Sequence, residues 1–268
     1  MTLVRRNYGR GHGYKRNGRR QPGVTAILRE TMPKGALIRW AGNTVADYAV
    51  DNWADLAAMP VTDRLAKLRG AADAERDAAA RRGTEVHALA DRLAVGEAVE
   101  VPEELAGHVE SYRRFLGDWR VEPIATELVV AGHAGRVAYC GTADLLAHMA
   151  DRAVWLLELK TSRSGIYRES ALQATGYSRA EVYTLPGEAG VEHPLDGLGI
   201  ERCGAVHIRS DGYDLRPLDT GDEVWRYFCR LAAIYADDRR VEATLDPGAY
   251  LSGAWVGEAI EPLRLVSA

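Results

Sequence analysis

Between residues 124 and 161 the spacing of apolar side chains changes from a helical three-and-four step to alternation, and this change constrains the fold most. "IATELVV" (124–130), "RVAYCGTADLLAHM" (136–149) and "AVWLLELKT" (153–161) read as three successive strands. The links between them, "AGHAG" and "ADR", are short and polar, which predicts an antiparallel meander.

Upstream the pattern is helical. From Ala36 to Met59, Leu37, Trp40, Ala41, Thr44, Val45, Tyr48 and Ala49 recur at three- and four-residue steps. A second helix is predicted over 62–95, closing near Gly96, and a third over 103–119 with Leu105, Val109, Tyr112, Leu116 and Trp119 on one stripe. "PGVTAIL" (22–28) has the Pro/Gly start and β-branched content of a short extended segment. Downstream, a helix is expected over 169–184, then a Gly/Pro/acid-rich loop over 186–200. Strands "GAVHIRS" and "YDLRPLD" flank an Asp211–Gly212 turn, and a last amphipathic helix spans 221–240. The expected architecture is an α/β core, a mixed central sheet with an antiparallel meander flanked by helices, carrying a helical N-terminal subdomain. The corresponding division is a basic flexible tail (1–22), a mostly helical part (23–120), a core (121–240) and a C-terminal extension (241–268). A chain of 268 residues is long enough to bury such a core.

Composition excludes some classes. No apolar run reaches the roughly 20 residues a membrane span needs, and no signal-peptide pattern opens the sequence, so a cytoplasmic protein is expected. Cys140, Cys203 and Cys229 are odd in number and never paired as CxxC, which argues against a disulfide framework or a zinc finger. Charge is uneven. Arg5, Arg6, Arg10, Lys15, Arg16, Arg19 and Arg20 crowd the first 22 residues without one acid, whereas the rest carries 27 basic against 38 acidic residues. Such an arm is either an electrostatic tether for phosphates or a tail with no specific task.

The third strand carries the chemistry. Alternation puts Val154, Leu156, Glu158 and Lys160 on one face, so a carboxylate and an ammonium emerge together from an apolar strand. Alone, that pair is most simply a structural ion pair. The neighbouring strand brings Asp144 beside it, and two facing carboxylates repel unless a cation stands between them. Hard oxygen ligands of this kind suit Mg²⁺ or Mn²⁺. Lys160 then has three roles open to it: orienting a water, deprotonating it, or stabilising the charge that develops on a phosphate. "GTEVHALAD" places His87 on a helix, a turn after Gly83 and Thr84, and "ESALQATGY" sets Gln173 and Tyr177 four apart on one helical face.

The order GTxxH, Glu-led strand, GTxD, ExK, QxxxY resembles the RecB-like branch of the PD-(D/E)XK nuclease superfamily, over about residues 22 to 185. The resemblance implies metal ligation by His87, Asp144 and Glu158 with the Leu159 carbonyl, and catalysis by Lys160. It places Gln173 and Tyr177 on a helix that lines the site, contacting DNA or bracing the lysine. Glu127 and Thr84 would give support, with Gly83, Gly141 and Thr142 allowing close packing. The "PD" of the family name is Ala143–Asp144 here, which keeps the acid. Relatives with an iron–sulphur cluster carry four cysteines; this chain has three, elsewhere, so no cluster is expected. Phage encode many members of this branch.

The expected activity is therefore a Mg²⁺- or Mn²⁺-dependent DNA exonuclease acting on single strands or ends in recombination, replication or repair. Its phosphodiester hydrolysis would proceed by in-line attack of a metal-activated water. The expected partners are DNA and a recombination or replication protein, with no membrane. Two alternatives stay open: a structure-specific or restriction-type endonuclease, and a non-catalytic DNA-binding scaffold that keeps a nuclease fold. Trp40, Tyr48 and Trp53 are expected in a core, with stacking on bases as the alternative.

Overall fold

The computed structural model describes residues 2–8, 11–162, 165–188 and 190–244, with side chains to residue 240. Its centre is a seven-stranded mixed sheet flanked by helices. The meander forms as the alternation dictates: β4 (Glu122–Ala134), β5 (Val137–His148) and β6 (Val154–Lys160) pair antiparallel in sequence. Beyond β6 lies β9 (Arg202–Arg209), running parallel to it, and then β10 (Gly212–Pro217), its antiparallel hairpin partner. On the other side, short strands β7 (Val182–Thr184) and β8 (His193–Pro194) extend β4.

Two cores sandwich this sheet. On one face, α1 (Val24–Thr31), α6 (Arg168–Ser178) and α7 (Asp222–Thr244) bury Val24, Ile27, Leu172, Tyr177 and Phe228 against Leu128, Val130, Leu146 and Leu156. On the other, the second half of α4 (Val61–Ala94) and α5 (Ala106–Asp118) pack Val86, Tyr112 and Phe115 on Leu145, Trp155, Leu157 and Val206. Helix α2 (Gly35–Asp51) and the short α3 (Trp53–Ala58) stand apart, with α2 leaning on α4. Helix α2 buries none of its residues, and Trp53 is 66% exposed. The expected core role of Trp40, Tyr48 and Trp53 is thus corrected: helical spacing made a stripe, but the stripe has only another helix to lean on.

The N-terminal residues depart most from expectation. Instead of a flexible tail, β1 (Leu3–Tyr8), β2 (Gly11–Arg16) and β3 (Arg19–Gln21) form a three-stranded antiparallel sheet. Asn17 and Gly18, both with φ > 0 (52° and 77°), turn β2 into β3 as a two-residue hairpin requires. Leu3 and Tyr14 are buried against Val129, Ala131 and Cys140, and burial of this kind anchors the sheet to β4 and β5. Arg10 lies outside the described residues.

Three smaller corrections follow. The segment 22–28 is helical from Val24, because Val24, Ile27 and Leu28 present one apolar face to the sheet. Helix α1 therefore belongs to the core, not to a helical subdomain spanning 23–120. The helix expected over 169–184 ends at Ser178, and its last predicted residues become strand β7, paired with β4. Residues 186–200 hold β8 and a 3-10 turn over Leu195–Leu198 as well as loop. Helix α7 continues to Thr244, past the boundary set at 240, and the rest of the expected C-terminal extension lies outside the described residues.

Candidate active site

The sheet opens where the acids lie. Strands β4 and β5 pair Thr126 with Leu145 and Leu128 with Ala143, so Glu127 and Asp144 occupy opposite positions at the unpaired step between. Glu127 there has φ 50°, a left-handed conformation that costs a non-glycine residue about 1–3 kcal/mol and that concentrates at functional sites. Strands β5 and β6 likewise stop pairing at Leu145 and Leu157. The Asp144 carboxylate fills the resulting gap and accepts the Leu159 N–H at 2.7 Å.

Around this gap five expected residues gather. His87, on α4, reaches Asp144 with Nδ1 to Oδ1 at 3.6 Å. Lys160 Nζ donates to Glu158 Oε1 at 2.7 Å and to Gln173 Oε1 at 2.9 Å, on α6. Gln173 Nε2 turns to Thr25 Oγ1 of α1 at 3.5 Å. Tyr177 is buried against Gly141, where a Cβ would come within 2.4 Å of its ring. That is why a glycine must stand there. A Cβ on Gly83 would meet Thr161 Oγ1 at 3.2 Å, so α4 also passes close to the end of β6.

The electrostatics are those of crowded charge in a dry place. Burial and the neighbouring Asp144 push the Glu158 carboxyl up to about 7, against the pull of Lys160. Burial works the same way on Asp144, but His87, Lys160 and the Leu159 N–H outweigh it and hold that carboxyl below its ordinary value. Burial disfavours the His87 imidazolium, yet Asp144 and Glu158 lift its pKa above the usual value. The carboxylates thus titrate apart, one anchored as an anion and one poised near neutrality.

Whether these residues suit a divalent cation is decided by their chemistry. The two carboxylates are hard oxygen donors of the kind Mg²⁺ or Mn²⁺ takes, whereas an imidazole nitrogen is a donor more typical of transition metals. Glu158 Oε2 is buried and has no hydrogen-bond partner among the described residues, which leaves an acceptor open at this position. As they stand, no three His, Cys, Asp or Glu side chains among the described residues form a group that could hold an ion. Asp144 and Glu158 are each turned to a protein donor, the Leu159 N–H and the Lys160 ammonium.

Other expected residues fall elsewhere. Glu127 is paired with Arg5 of β1. Thr84 bonds Ala80 O on its own helix at 2.9 Å, one turn from His87. Arg16 makes a two-pronged contact with Glu192, at 2.9 and 3.2 Å. Arg5 and Arg16 are therefore each paired with protein acids. Arg6, Lys15, Arg19 and Arg20 remain on the N-terminal sheet. Sequence reasoning missed Thr25, because 22–28 reads as extended; Gln173 four residues before Tyr177 was the signal that some group must face that helix.

Comparison with protein-family models gives no match, and comparison with curated proteins gives none. Among solved structures, the chain is similar to one titled "Crystal structure of SSO0001", at 17% identity and a TM-score of 0.29. The match covers 50% of this chain and 57% of that one, so the chain spans little more than half of its length. Among the described residues, no helix is long and apolar enough to cross a membrane.

Proposed function

We propose that this chain is a divalent-metal-dependent DNA nuclease of the RecB-like PD-(D/E)XK kind, with His87, Asp144, Glu158 and Lys160 as its centre. The observation that carries the reading is the buried, partnerless Glu158 Oε2 beside Asp144, at a break in the sheet where Lys160 also arrives. A purely structural Glu–Lys pair explains neither the orphaned oxygen nor the second carboxylate.

In this reading His87, Asp144 and Glu158 hold Mg²⁺ or Mn²⁺. The ion supplies a water of lowered pKa and screens charge on the phosphate. Glu158 and Gln173 aim the Lys160 ammonium, which orients the attacking water and balances negative charge as it grows on the phosphoryl oxygens. Tyr177, buried and close enough to Glu158 to feel its charge, helps keep water from that carboxylate. Thr25 fixes the amide of Gln173, so its oxygen faces the lysine.

End-labelled DNA tests the assignment. With Mg²⁺ or Mn²⁺, stepwise loss of nucleotides from one labelled terminus marks an exonuclease, the expected mode, whereas internal fragments mark an endonuclease. Tight DNA binding without any metal-dependent cleavage would leave a non-catalytic scaffold and refute the assignment.

A further inference from the structure

We propose that the N-terminal sheet is a platform for single-stranded nucleic acid, gripping the backbone with Arg6, Lys15 and Arg20 and stacking a base on Tyr8. The ligand class rests on the nuclease reading; the platform itself rests on how the sheet divides its charge.

Strand alternation and register assign each side chain to a face. Leu3 opposite Arg16 and Arg5 opposite Tyr14 form the inner face, against β4 and β5. There Arg5 is neutralised by Glu127, and Arg16 by Glu192 and Glu181, while Arg19, opposite Arg16 on the short last strand, is exposed. Val4 opposite Lys15, Arg6 opposite Gly13, and Lys15 opposite Arg20 form the outer face. Among the described residues, no side-chain hydrogen bond or ion pair engages Arg6, Lys15 or Arg20. Like charges directly across a strand pair are destabilising, yet Lys15 and Arg20 are so placed, in a chain whose remainder is strongly acidic. An anionic ligand relieves that repulsion.

The same face carries an aromatic ring. Tyr8 is 50% exposed, and its ring lies across Gly13, where a Cβ would meet Cε2 at 3.2 Å. Cations around an exposed ring on a flat sheet are what an unstacked strand recognises, since each base offers a π-face and each linkage a charge. A duplex offers the charges but hides the faces of its bases. The platform is also fixed to the catalytic strands. Tyr14 Oη and Thr142 Oγ1 are bonded at 2.8 Å, two residues before Asp144, and Arg5 holds Glu127 at the sheet break. A strand lying on this face is thereby tied to the strands that carry the proposed catalytic groups.

The test uses the full chain in EDTA and fluorescein-labelled oligonucleotides of about 12 nucleotides, single-stranded or duplex, from about 50 to 200 mM salt. Removing three cations together (Arg6→Ala, Lys15→Ala, Arg20→Ala) is expected to flatten the log K against log [salt] slope for the single strand by about 2. Tyr8→Ala is expected to weaken single-strand binding roughly 5- to 150-fold, leave duplex binding unchanged, and be rescued by Tyr8→Phe. Thermal midpoints like that of the parent show that the variants fold. An unchanged slope, or equal loss on both substrates with Tyr8→Ala, overturns the platform. Failure of the nuclease reading looks different: the slope and stacking effects appear, but no metal produces hydrolysis. Hydrolysis with an unaltered slope in the triple variant removes the platform alone.

Discussion

Replacing Glu158 by glutamine keeps the shape of the side chain and removes a charge from a position only 5% exposed. Burial and Asp144 raise this carboxyl from an ordinary 4.5 to about 7. A raised folded-state pKa means the native protein holds the proton more tightly than the unfolded chain does. The contribution therefore favours folding below about pH 4.5 and is lost as pH rises through 7. At about 1.4 kcal/mol per unit, the fully ionised group opposes folding by roughly 3 kcal/mol at pH 8. Glutamine removes that cost, which is already net of the attraction of Lys160 at 2.7 Å, and leaves the ammonium its Gln173 partner. The gain is of the order of a few kcal/mol, or roughly 5–10 °C for a chain of this size. Thermal melts in EDTA check it. Glu158→Gln should melt above the parent at pH 8 and lose the advantage at pH 5, where the parent is already protonated. Adding Mn²⁺ at pH 8 should raise the parent and leave the variant unmoved. A Glu158→Gln protein less stable than the parent at pH 8, or one whose difference ignores pH, would refute the electrostatic argument.

Other changes separate ligands from catalysts and packing from chemistry. Lys160→Ala is expected to lower cleavage at least about 100-fold while Mn²⁺ still raises the melting temperature, checked by pairing a digestion with a melt. Asp144→Asn should lose both the cleavage and the Mn²⁺ response, because the proposed ligand is gone and the Leu159 N–H keeps only a neutral acceptor. Gly141→Ala forces a Cβ into the Tyr177 ring and should cost about 1–3 kcal/mol, read as a lowered midpoint in urea. Thr25→Val, which leaves Gln173 without its hydroxyl partner, should reduce turnover more than substrate affinity, measured as kcat against KM.

How much of this was legible in the sequence depended on whether the signal was local. The meander from β4 to β6 could be read because alternation has a fixed period, and the same period placed Glu158 beside Lys160. Asp144 followed from short links between strands. What alternation does not encode is its own interruption: Glu127 turns left-handed and Asp144 leaves the ladder, and both depend on contacts made by other strands. The N-terminal hairpin did carry a local signal, Asn17–Gly18 between residues that pair, but the density of arginine outweighed it. That density reflects only one face, since Leu3 and Tyr14 bury the other. Deleting residues 1–21 would thus expose apolar surface on β4 and β5 as well as remove charge. Helix α1 was missed because Val24 and Thr25 favour strands, and packing against the sheet overrode that preference.

Hydrolysis of a labelled single-stranded oligonucleotide by the parent, Asp144→Asn and Lys160→Ala, each in Mn²⁺ and in EDTA, addresses the central claim most directly. The account predicts cleavage by the parent in Mn²⁺ alone, with EDTA and either substitution abolishing it. Cleavage that persists in EDTA, or in Asp144→Asn at the parent's rate, would contradict a metal centre at the break between β5 and β6.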